Sequence, residues 1–261
     1  MLQVSSLFVY PVKSLGGISL PQAKVTALGF EHDRHMMLTD MDGRFLTQRE
    51  TPILCLFSTA LQPGGVLITY KDEKLFIPFY FEGNEVRVLV WEDNVTALRA
   101  PDEINTWFSE RAGIPCSLVR HASQTKRMVD PTYARQNEQT AFADAFPVLV
   151  LGQESLNLLN SKLQEKLPVN RFRPNIVFTG GLAHQEDECR QMRIADTVFE
   201  ISKPCARCTV TTTNQATAEK GKEPLQTLST YRQQNNKILF GQNALVRQAG
   251  IIQIGDLVQM S

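Results

Sequence analysis

The first hundred residues of this 261-residue chain alternate between short apolar runs and turn-forming residues at nearly regular intervals. Such spacing is typical of β-strands joined by tight turns, and it restricts this part of the chain to a barrel or a sandwich. Residues 4–10 predict the first strand, and residues 23–28 the second. Residues 35–39 and 44–47 predict a hairpin because they flank an Asp-Met-Asp-Gly segment at 40–43. Further turn signals lie at 63–65, 71–73, 82–84 and 92–94.

Helical patterns begin after residue 100. A helix is predicted after Pro101, where acidic residues fill the first turn and Gly113 provides the end. A second is predicted over 153–167, where leucines recur on one face, and a short third over 223–231. The polar stretch 121–139 is predicted to be a long loop, and 146–151 a buried strand. Residues 192–202 predict a hairpin, and residues 251–260 predict two short strands on either side of a Gly-Asp turn. We therefore predict a mixed α/β, β-rich fold with a domain boundary between 100 and 120, dividing the chain into 1–110 and 111–261.

Composition narrows the class of protein. The chain has 27 basic and 27 acidic residues, a formal net charge of zero and a pI near 6.9. We expect no nucleic-acid partner, because such proteins carry a basic surface. Five cysteines without a regular framework indicate a reducing compartment. No apolar run reaches membrane-spanning length, and the N-terminus lacks the pattern of a signal peptide. We therefore expect a cytoplasmic protein with no membrane partner.

The segment 203–212, Lys-Pro-Cys-Ala-Arg-Cys-Thr-Val-Thr-Thr, holds two of the five cysteines. Thiolates are soft ligands, so they indicate either a soft metal or redox chemistry. The β-favouring residues 209–212 predict that Cys208 lies where a turn meets a strand. Arg207 beside it can donate two hydrogen bonds to an anion or to the edge of a heterocycle. Three functional interpretations follow: half a zinc site, a redox dithiol, or a single thiolate ligand with an arginine clamp.

The first two interpretations are weak. A structural zinc site uses four Cys or His ligands, and the remaining cysteines and histidines form no second close pair. A redox Cys-x-x-Cys motif usually opens a helix, whereas Thr-Val-Thr-Thr is a poor helix former. Two core cysteines at a strand edge, with no function, remain a further alternative.

Several polar residues near predicted strand ends favour the third interpretation. Lys13 and Ser14 lie in a glycine-flanked loop. Pro174 should hold Arg173 extended, so that Arg173 and Asn175 project to the same side of the chain. Each residue alone is typical of a solvated surface. Together with a thiolate they describe a pocket for a phosphorylated, nitrogen-rich heterocycle that carries a soft metal. The set comprises Lys13, Ser14, Arg34, Arg173, Asn175 and Arg207.

The order of these motifs resembles the MOSC family, from the first predicted strand to the last. Within it, the chain is similar to the branch of the mitochondrial amidoxime-reducing component and its bacterial counterparts. The resemblance implies an N-terminal β-barrel-like MOSC domain that is smaller than the β-barrel-like MOSC core, a few peripheral helices, and molybdenum cofactor in the cleft between the domains. The matching segments are 10–14 (Tyr-Pro-Val-Lys-Ser), 33–34 (Asp-Arg), 171–177 (Arg-Phe-Arg-Pro-Asn-Ile-Val), 186–187 (Glu-Asp), 203–212, 223–225 (Glu-Pro-Leu), 240–243 (Phe-Gly-Gln-Asn) and 254–256 (Ile-Gly-Asp).

The resemblance also implies roles for individual residues. Cys208 is implied as the catalytic residue and as the protein thiolate on molybdenum, with Cys205 as its neighbour. Lys13, Ser14 and Arg34 match positions that hold the pterin and its phosphate. The remaining contacts fall to Arg173, Asn175, Ala206, Arg207 and Cys208. Relatives commonly carry serine where Ala206 stands, so any contact from Ala206 comes from its backbone.

The activity implied is a molybdenum-dependent, pyridoxal-phosphate-independent oxidoreductase. It would reduce N-hydroxylated bases, amidoximes and hydroxylamines by removing oxygen at molybdenum. The five cysteines do not show the spacing of a ferredoxin cluster, so electrons are expected from an external ferredoxin- or flavin-type reductase. The alternative is a non-redox binding or carrier domain for molybdenum cofactor or its sulfur.

Overall fold

The computed structural model describes residues 1–122 and 124–261, and β-strands dominate it. Within those residues the strands form one large sheet and three smaller ones, and three α-helices lie at the periphery. This confirms the predicted β-rich mixed fold with few helices. None of the described helices is long and apolar enough to cross a membrane.

The described residues of the N-terminal part contain eleven strands. One short helix lies between the fifth and sixth strands, and one α-helix lies between the tenth and eleventh strands. A 3-10 helix, Pro52–Leu56, precedes β6, and α1 spans Asp102–Ala112 and ends at Gly113 in the left-handed conformation. The strands are β1 (Gln3–Val9), β2 (Ile18–Leu20), β3 (Gln22–Thr26), β4 (Gly29–Phe30), β5 (Met36–Thr39), β6 (Ser58–Gln62), β7 (Gly65–Tyr70), β8 (Glu73–Pro78), β9 (Glu85–Val90), β10 (Asp93–Arg99) and β11 (Ser117–Arg120).

The C-terminal part follows a loop that includes the predicted 121–139 stretch, of which Ser123 lies outside the described residues. Its strands are β12 (Val148–Gly152), β13 (Ile176–Thr179), β14 (Gln191–Ile194), β15 (Thr197–Ala206), β16 (Gln233–Gln234), β17 (Lys237–Gln248), β18 (Gly250–Gln253) and β19 (Val258–Met260). Its helices are α2 (Gln153–Ser161) and α3 (Leu225–Ser229), with 3-10 helices at Val169–Phe172, Gln185–Asp187 and Thr209–Thr212.

The large sheet joins the two ends of the sequence. Its strand order is β19-β14-β15-β17-β12-β13-β1-β2, and β16 pairs with β17. The first strand, β1, is antiparallel to β13, with Leu7 opposite Ile176, while β13 is parallel to β12. Its inner face buries an aliphatic and aromatic core that includes Val9, Phe178 and Phe199. Because β1 lies beside β13, the loop after β1 is held close to the residues that precede β13.

Two of the three smaller sheets lie within residues 36–120. One has the order β5-β11-β10-β9, and another the order β6-β7-β8. A second core packs between these strands and α1, with Phe57 and Phe108 fully buried. The third small sheet, β18-β3-β4, pairs Val25 with Gly250 near the C-terminus. The division at residue 110 stays a prediction, and these pairings attach the first thirty residues to strands of the second half.

Two local predictions next to the cysteines were wrong. Residues 209–212 form a 3-10 helix rather than a strand, and Cys208 is the residue that precedes it. The Thr211 amide and hydroxyl both donate to the Cys208 carbonyl oxygen, and these local bonds outweigh the extended preference of the threonines. Arg173 is not extended but left-handed, with φ 53° and ψ 44°. There the chain leaves a 3-10 turn, and the Arg173 amide donates to the Asn170 carbonyl.

Two predictions about the ends and the pairing of elements also need correction. The second helix ends at Ser161 rather than at Leu167, because the Asn160 side chain binds the backbone amide and carbonyl of Leu167 and closes a loop there. The two strands predicted at the C-terminal tail exist but do not pair with each other. Instead, β18 pairs with β3 and β19 with β14. Gly255, at φ 91°, makes the turn that separates them.

Candidate cofactor-binding site

All eight residues predicted for the site line one cavity. Its walls come from residues 13–49 on one side and from residues 143–243 on the other. The structure therefore brings together side chains that are up to 195 positions apart in the sequence (13 to 208). The eight are Lys13, Ser14, Arg34, Arg173, Asn175, Ala206, Arg207 and Cys208.

Two cysteine sulfurs lie at this cavity, and both are only half-buried. Cys208 Sγ accepts a hydrogen bond from Arg49 Nε at 3.4 Å. Cys205 Sγ accepts one from Arg207 Nη1 at 2.9 Å. The other three cysteines are buried and line no part of the cavity. Among the described residues, no three His, Cys, Asp or Glu side chains are grouped to hold a metal, so the protein alone offers Cys208 and Cys205 rather than a closed ligand set.

Tyr10 organises two of the cavity's arginines. Its ring lies between the guanidinium groups of Arg34 and Arg173, whose Cζ atoms are 4.2 and 4.3 Å from the ring centre. Burial raises the pKa of Tyr10 to about 12, although the two arginines oppose the rise. The same burial lowers the pKa of Arg173 to about 10. Arg34 is fixed further by an ion pair with the buried carboxylate of Asp33. Both guanidinium groups are therefore held in place before any ligand arrives.

Two buried nitrogen atoms at the cavity lack partners. Arg173 uses Nη1 to donate to the Leu15 carbonyl at 2.8 Å, but its Nη2 has no acceptor. Arg207 donates through Nη1 and Nη2 to Cys205 Sγ and the Phe172 carbonyl, yet its Nε is unpartnered. Buried donors are nearly always satisfied in folded proteins, so these two point to an acceptor that a ligand supplies. An anionic oxygen suits a guanidinium donor best.

The side chains that line the cavity carry mostly positive charge. Among its described lining residues, six side chains are cationic and one carboxylate, that of Asp144, is present. Asp144 is bound to Lys13 Nζ at 2.5 Å, and that nitrogen also donates to the Phe142 carbonyl at 2.8 Å. Burial lowers the pKa of Lys13 to about 8, and the pair with Asp144 opposes the drop. The cations are Lys13, Arg34, Arg49, Arg171, Arg173 and Arg207.

Asn175 acts on the site through Arg34. Its Oδ1 accepts hydrogen bonds from Arg34 Nη1 at 3.2 Å and from the Leu149 amide at 3.1 Å, and its Nδ2 donates to the Phe8 carbonyl. The amide is therefore occupied by the protein, and it holds Arg34 against the strand edge. Ser14 is similarly engaged, because its Oγ donates to the Leu46 carbonyl. Both residues line the cavity as predicted, but their side chains shape it.

Sequence reasoning missed Arg49, Asp144 and Arg171. Arg49 contacts Cys208 and lies 3.8 Å from Asp144. Arg171 lies within the matched segment 171–177, so the motif itself contained a signal for it. Arg49 and Asp144 stand in segments without a periodic pattern, and only the fold brings them to the cavity that Cys208 lines.

The cavity fits a phosphorylated cofactor that carries a soft metal. Its cationic lining and the two unpartnered donors, Arg173 Nη2 and Arg207 Nε, suit a phosphate. The accessible sulfur of Cys208 suits a soft metal. Unpartnered buried donors destabilise a folded protein, so folding alone does not account for these two nitrogen atoms.

Comparison with known proteins identifies the family of both parts of the chain. Residues 1–115 match the MOSC N-terminal beta barrel domain, and residues 137–259 match the MOSC domain. The chain is 30% identical to mitochondrial amidoxime-reducing component 1 of Danio rerio, over 98% of this chain and 83% of that protein. It is 30% identical to mitochondrial amidoxime reducing component 2 of Bos taurus, over 98% of this chain and 82% of that protein. It is 33% identical to molybdenum cofactor sulfurase of rice, Oryza sativa subsp. japonica, over 92% of this chain, but it spans only 32% of that longer protein.

The domain matches define the class of protein, and the amidoxime-reducing relatives define the branch within that class. The fold and the paired domain matches are those of a MOSC protein. The chain belongs to the MOSC family, in the two-domain branch that includes the mitochondrial amidoxime-reducing components. This confirms the family that the order of sequence motifs predicted.

Proposed function

We propose that this protein binds molybdenum cofactor and reduces N-hydroxylated compounds. The observation that carries the proposal is the accessible Cys208 sulfur in a cationic cavity that holds two unpartnered guanidinium donors. The names of the relatives, which include amidoxime-reducing components, support the reaction class. The expected substrates are amidoximes, hydroxylamines and N-hydroxylated bases.

Different residues of the cavity would contact different parts of the cofactor. Cys208 would ligate the metal, and Arg173 and Arg207 would bind the phosphate through their unpartnered nitrogen atoms. Lys13, Ser14, Arg34 and the backbone of Ala206 would border the pterin. Asn175 would act through Arg34, to which it is already bonded. When bound, the cofactor supplies the two-electron reduction that removes the oxygen of an N-hydroxyl group.

The protein must also supply protons, because reduction of an N-hydroxyl group to the N–H product and water consumes two protons and two electrons. Lys13 is the cavity cation that burial brings closest to neutrality, with a pKa of about 8. Its partner Asp144 has a side chain that is 58% exposed, so the pair links the cavity to solvent. We assign proton transfer to Lys13 Nζ by way of Asp144.

Electrons would arrive from a separate ferredoxin- or flavin-type reductase. The cytoplasmic location predicted from the sequence stays a prediction.

The direct test measures metal and turnover together. Wild-type protein and Cys208→Ser are made in a host that synthesises molybdenum cofactor, and their molybdenum content is determined by elemental analysis. We expect near-stoichiometric molybdenum in the wild type, together with reduction of hydroxylamine or an N-hydroxylated purine when a chemical reductant is supplied. Cys208→Ser should lose turnover at least a hundredfold. Wild-type protein without molybdenum would contradict the proposal.

A second candidate function has its own support. The 33% identity to a protein named molybdenum cofactor sulfurase favours a domain that binds or hands over the cofactor or its sulfur. Cys208 would then hold a transient ligand or a persulfide. Stoichiometric molybdenum without turnover of any N-hydroxylated compound would favour this carrier role over the reductase.

A further inference from the structure

A second cavity opens beside the cofactor site. The two cavities share Phe45, Thr47 and Arg49 as a common wall, and we call the second cavity the side pocket. Trp91 and Glu92, from the turn between β9 and β10, line its other side. The matched cofactor residues Lys13, Arg34, Arg173 and Arg207 do not line it. It is therefore a separate space that adjoins the cofactor cavity.

Trp91 is placed in an unusual way for a large aromatic residue. Its surface is 45% exposed, although tryptophan is usually well buried. It also has a positive φ of 59°, in a two-residue turn where Val90 pairs with Asp93. Glycine, asparagine and aspartate are favoured at such positions, and a bulky residue there is strained. Strain of this kind accumulates at functional sites.

The strained backbone at Trp91 places its indole ring next to the ring of Phe45. The Trp91 ring centre lies 5.1 Å from that of Phe45, at an interplanar angle of 56°. The two rings form an aromatic surface in the side pocket, and Phe45 also lines the cofactor cavity. A flat, conjugated ligand gains most from such a surface, because stacking depends on its π-face rather than on particular hydrogen bonds.

Arg49 connects this surface to Cys208. Its Cζ lies 4.4 Å from the Trp91 ring centre, and its Nε lies 3.4 Å from Cys208 Sγ. Its nearest carboxylate oxygen, on Asp144, is 3.8 Å from Nη2, which exceeds hydrogen-bonding distance. The guanidinium therefore keeps donors for a ligand that lies on Trp91 and reaches toward the sulfur.

We propose that the side pocket holds the flat part of the substrate, and this inference rests on the proposed function. The π-system of an aryl amidoxime or N-hydroxylated heterocycle stacks on Trp91 and contacts the tilted ring of Phe45. Its N-hydroxyl group passes Arg49, which donates a hydrogen bond to the hydroxyl oxygen, and faces Cys208. The site therefore selects conjugated N-hydroxylated compounds over compact hydroxylamines, which have no π-face to stack on Trp91.

The test compares benzamidoxime with hydroxylamine in the molybdenum-loaded protein. For Trp91→Ala, we expect the ratio of kcat/KM for benzamidoxime to that for hydroxylamine to fall about tenfold, since loss of one stacking partner is worth about that factor. The loss should appear in KM. Trp91→Phe, which keeps an aromatic ring, should lie between the two. Tyr80→Ala is the matched control, because Tyr80 is an aromatic residue that is 80% exposed and lines neither cavity.

Binding of benzamidoxime to the same loaded proteins, measured by calorimetry, separates this inference from the proposed function. A tenfold weaker Kd in Trp91→Ala, with Tyr80→Ala unchanged, supports the side pocket even if no variant turns over. An unchanged Kd overturns it, even if the wild type reduces both substrates. Equal loss of kcat/KM for both substrates also overturns it.

Discussion

Arg173 shows how one residue can be both structurally fixed and functionally incomplete. One nitrogen of its guanidinium binds the Leu15 carbonyl, its face packs on Tyr10, and its Nη2 is left buried without an acceptor. Leaving such a donor unsatisfied costs free energy, about 1–3 kcal/mol for a typical buried polar group. A ligand that completes this hydrogen bond would offset that cost, and Arg207 Nε presents a second unpartnered donor to the same cavity.

Replacing Arg173 by methionine should therefore weaken cofactor binding by at least tenfold, because a charge-assisted hydrogen bond to phosphate is lost. Without cofactor the same variant should unfold at a lower urea concentration, since the Leu15 carbonyl loses its donor and the Tyr10 ring loses a packing partner. Molybdenum retained after dialysis and urea unfolding of the cofactor-free protein measure the two effects. Arg87→Met, on an exposed position of β9, is the control and should change neither. Normal molybdenum retention by Arg173→Met would contradict this role.

A pair of histidines predicts how stability depends on pH. The Nε2 atoms of His35 and His121 are buried without partners, and the ring centres are 5.7 Å apart. Burial lowers the pKa of both residues, that of His121 to about 4, below the value near 6.5 in an unfolded chain. The folded state thus favours the neutral rings, so their contribution is fully retained above pH 6.5 and declines as pH falls toward 4.

We expect the urea midpoint of the wild type to fall between pH 6.5 and pH 4, and His121→Phe to show a shallower fall. Phenylalanine keeps the contact with the Phe142 ring and cannot take up a proton. Urea titrations at pH 7, 5.5 and 4.5 measure the difference between the two proteins. Parallel pH dependence would mean that His121 does not contribute to acid sensitivity.

At the scale of single elements, the loop between β1 and β2 is packed so tightly that it leaves no room for a side chain at residue 17. Gly17 approaches the Tyr10 ring so closely that a Cβ on residue 17 would lie 2.3 Å from Tyr10 Cε1. Tyr10 in turn is held between Arg34 and Arg173, so it has little room to move. A side chain at position 17 would therefore displace the ring that aligns both arginines.

Gly17→Ala should destabilise the protein by about 1–3 kcal/mol, the usual range for overpacking. Gly221→Ala is the matched control, since its added Cβ would have the Thr212 carbonyl as nearest atom, at 3.9 Å. That control should lie within about 0.5 kcal/mol of the wild type. Urea unfolding at pH 7 gives both values, and equal stability of the two variants would refute this account of the loop.

Elements that follow from caps, turns and residue preferences were predictable, and those decided by particular hydrogen bonds were not. The helix after Pro101 and the hairpin strands β14 and β15 follow from caps, turns and alternation. The left-handed Arg173 could not be read locally, because Pro174 favours an extended residue before it. Residues 209–212 likewise depend on hydrogen bonds to the Cys208 carbonyl that residue preferences do not encode.

At the scale of the whole molecule, the site exists because the first strand of the chain inserts beside β13. That pairing holds Lys13 and Arg34 opposite Arg173 and Arg207, which come from the other half of the sequence. Spacing alone could not predict the pairing. The family's motif order did predict which residues meet, and all eight line the cavity. Arg49 and the side pocket became visible only in the folded protein.

The central claim is that the sulfur of Cys208 ligates the metal of a cofactor held in this cationic cavity. X-ray absorption at the molybdenum K-edge of cofactor-loaded wild type and Cys208→Ser tests it most directly, because the spectrum counts sulfur neighbours of the metal. The account predicts one more sulfur ligand in the wild type than in Cys208→Ser, with Cys205→Ser indistinguishable from the wild type. Identical sulfur coordination in wild type and Cys208→Ser would contradict it.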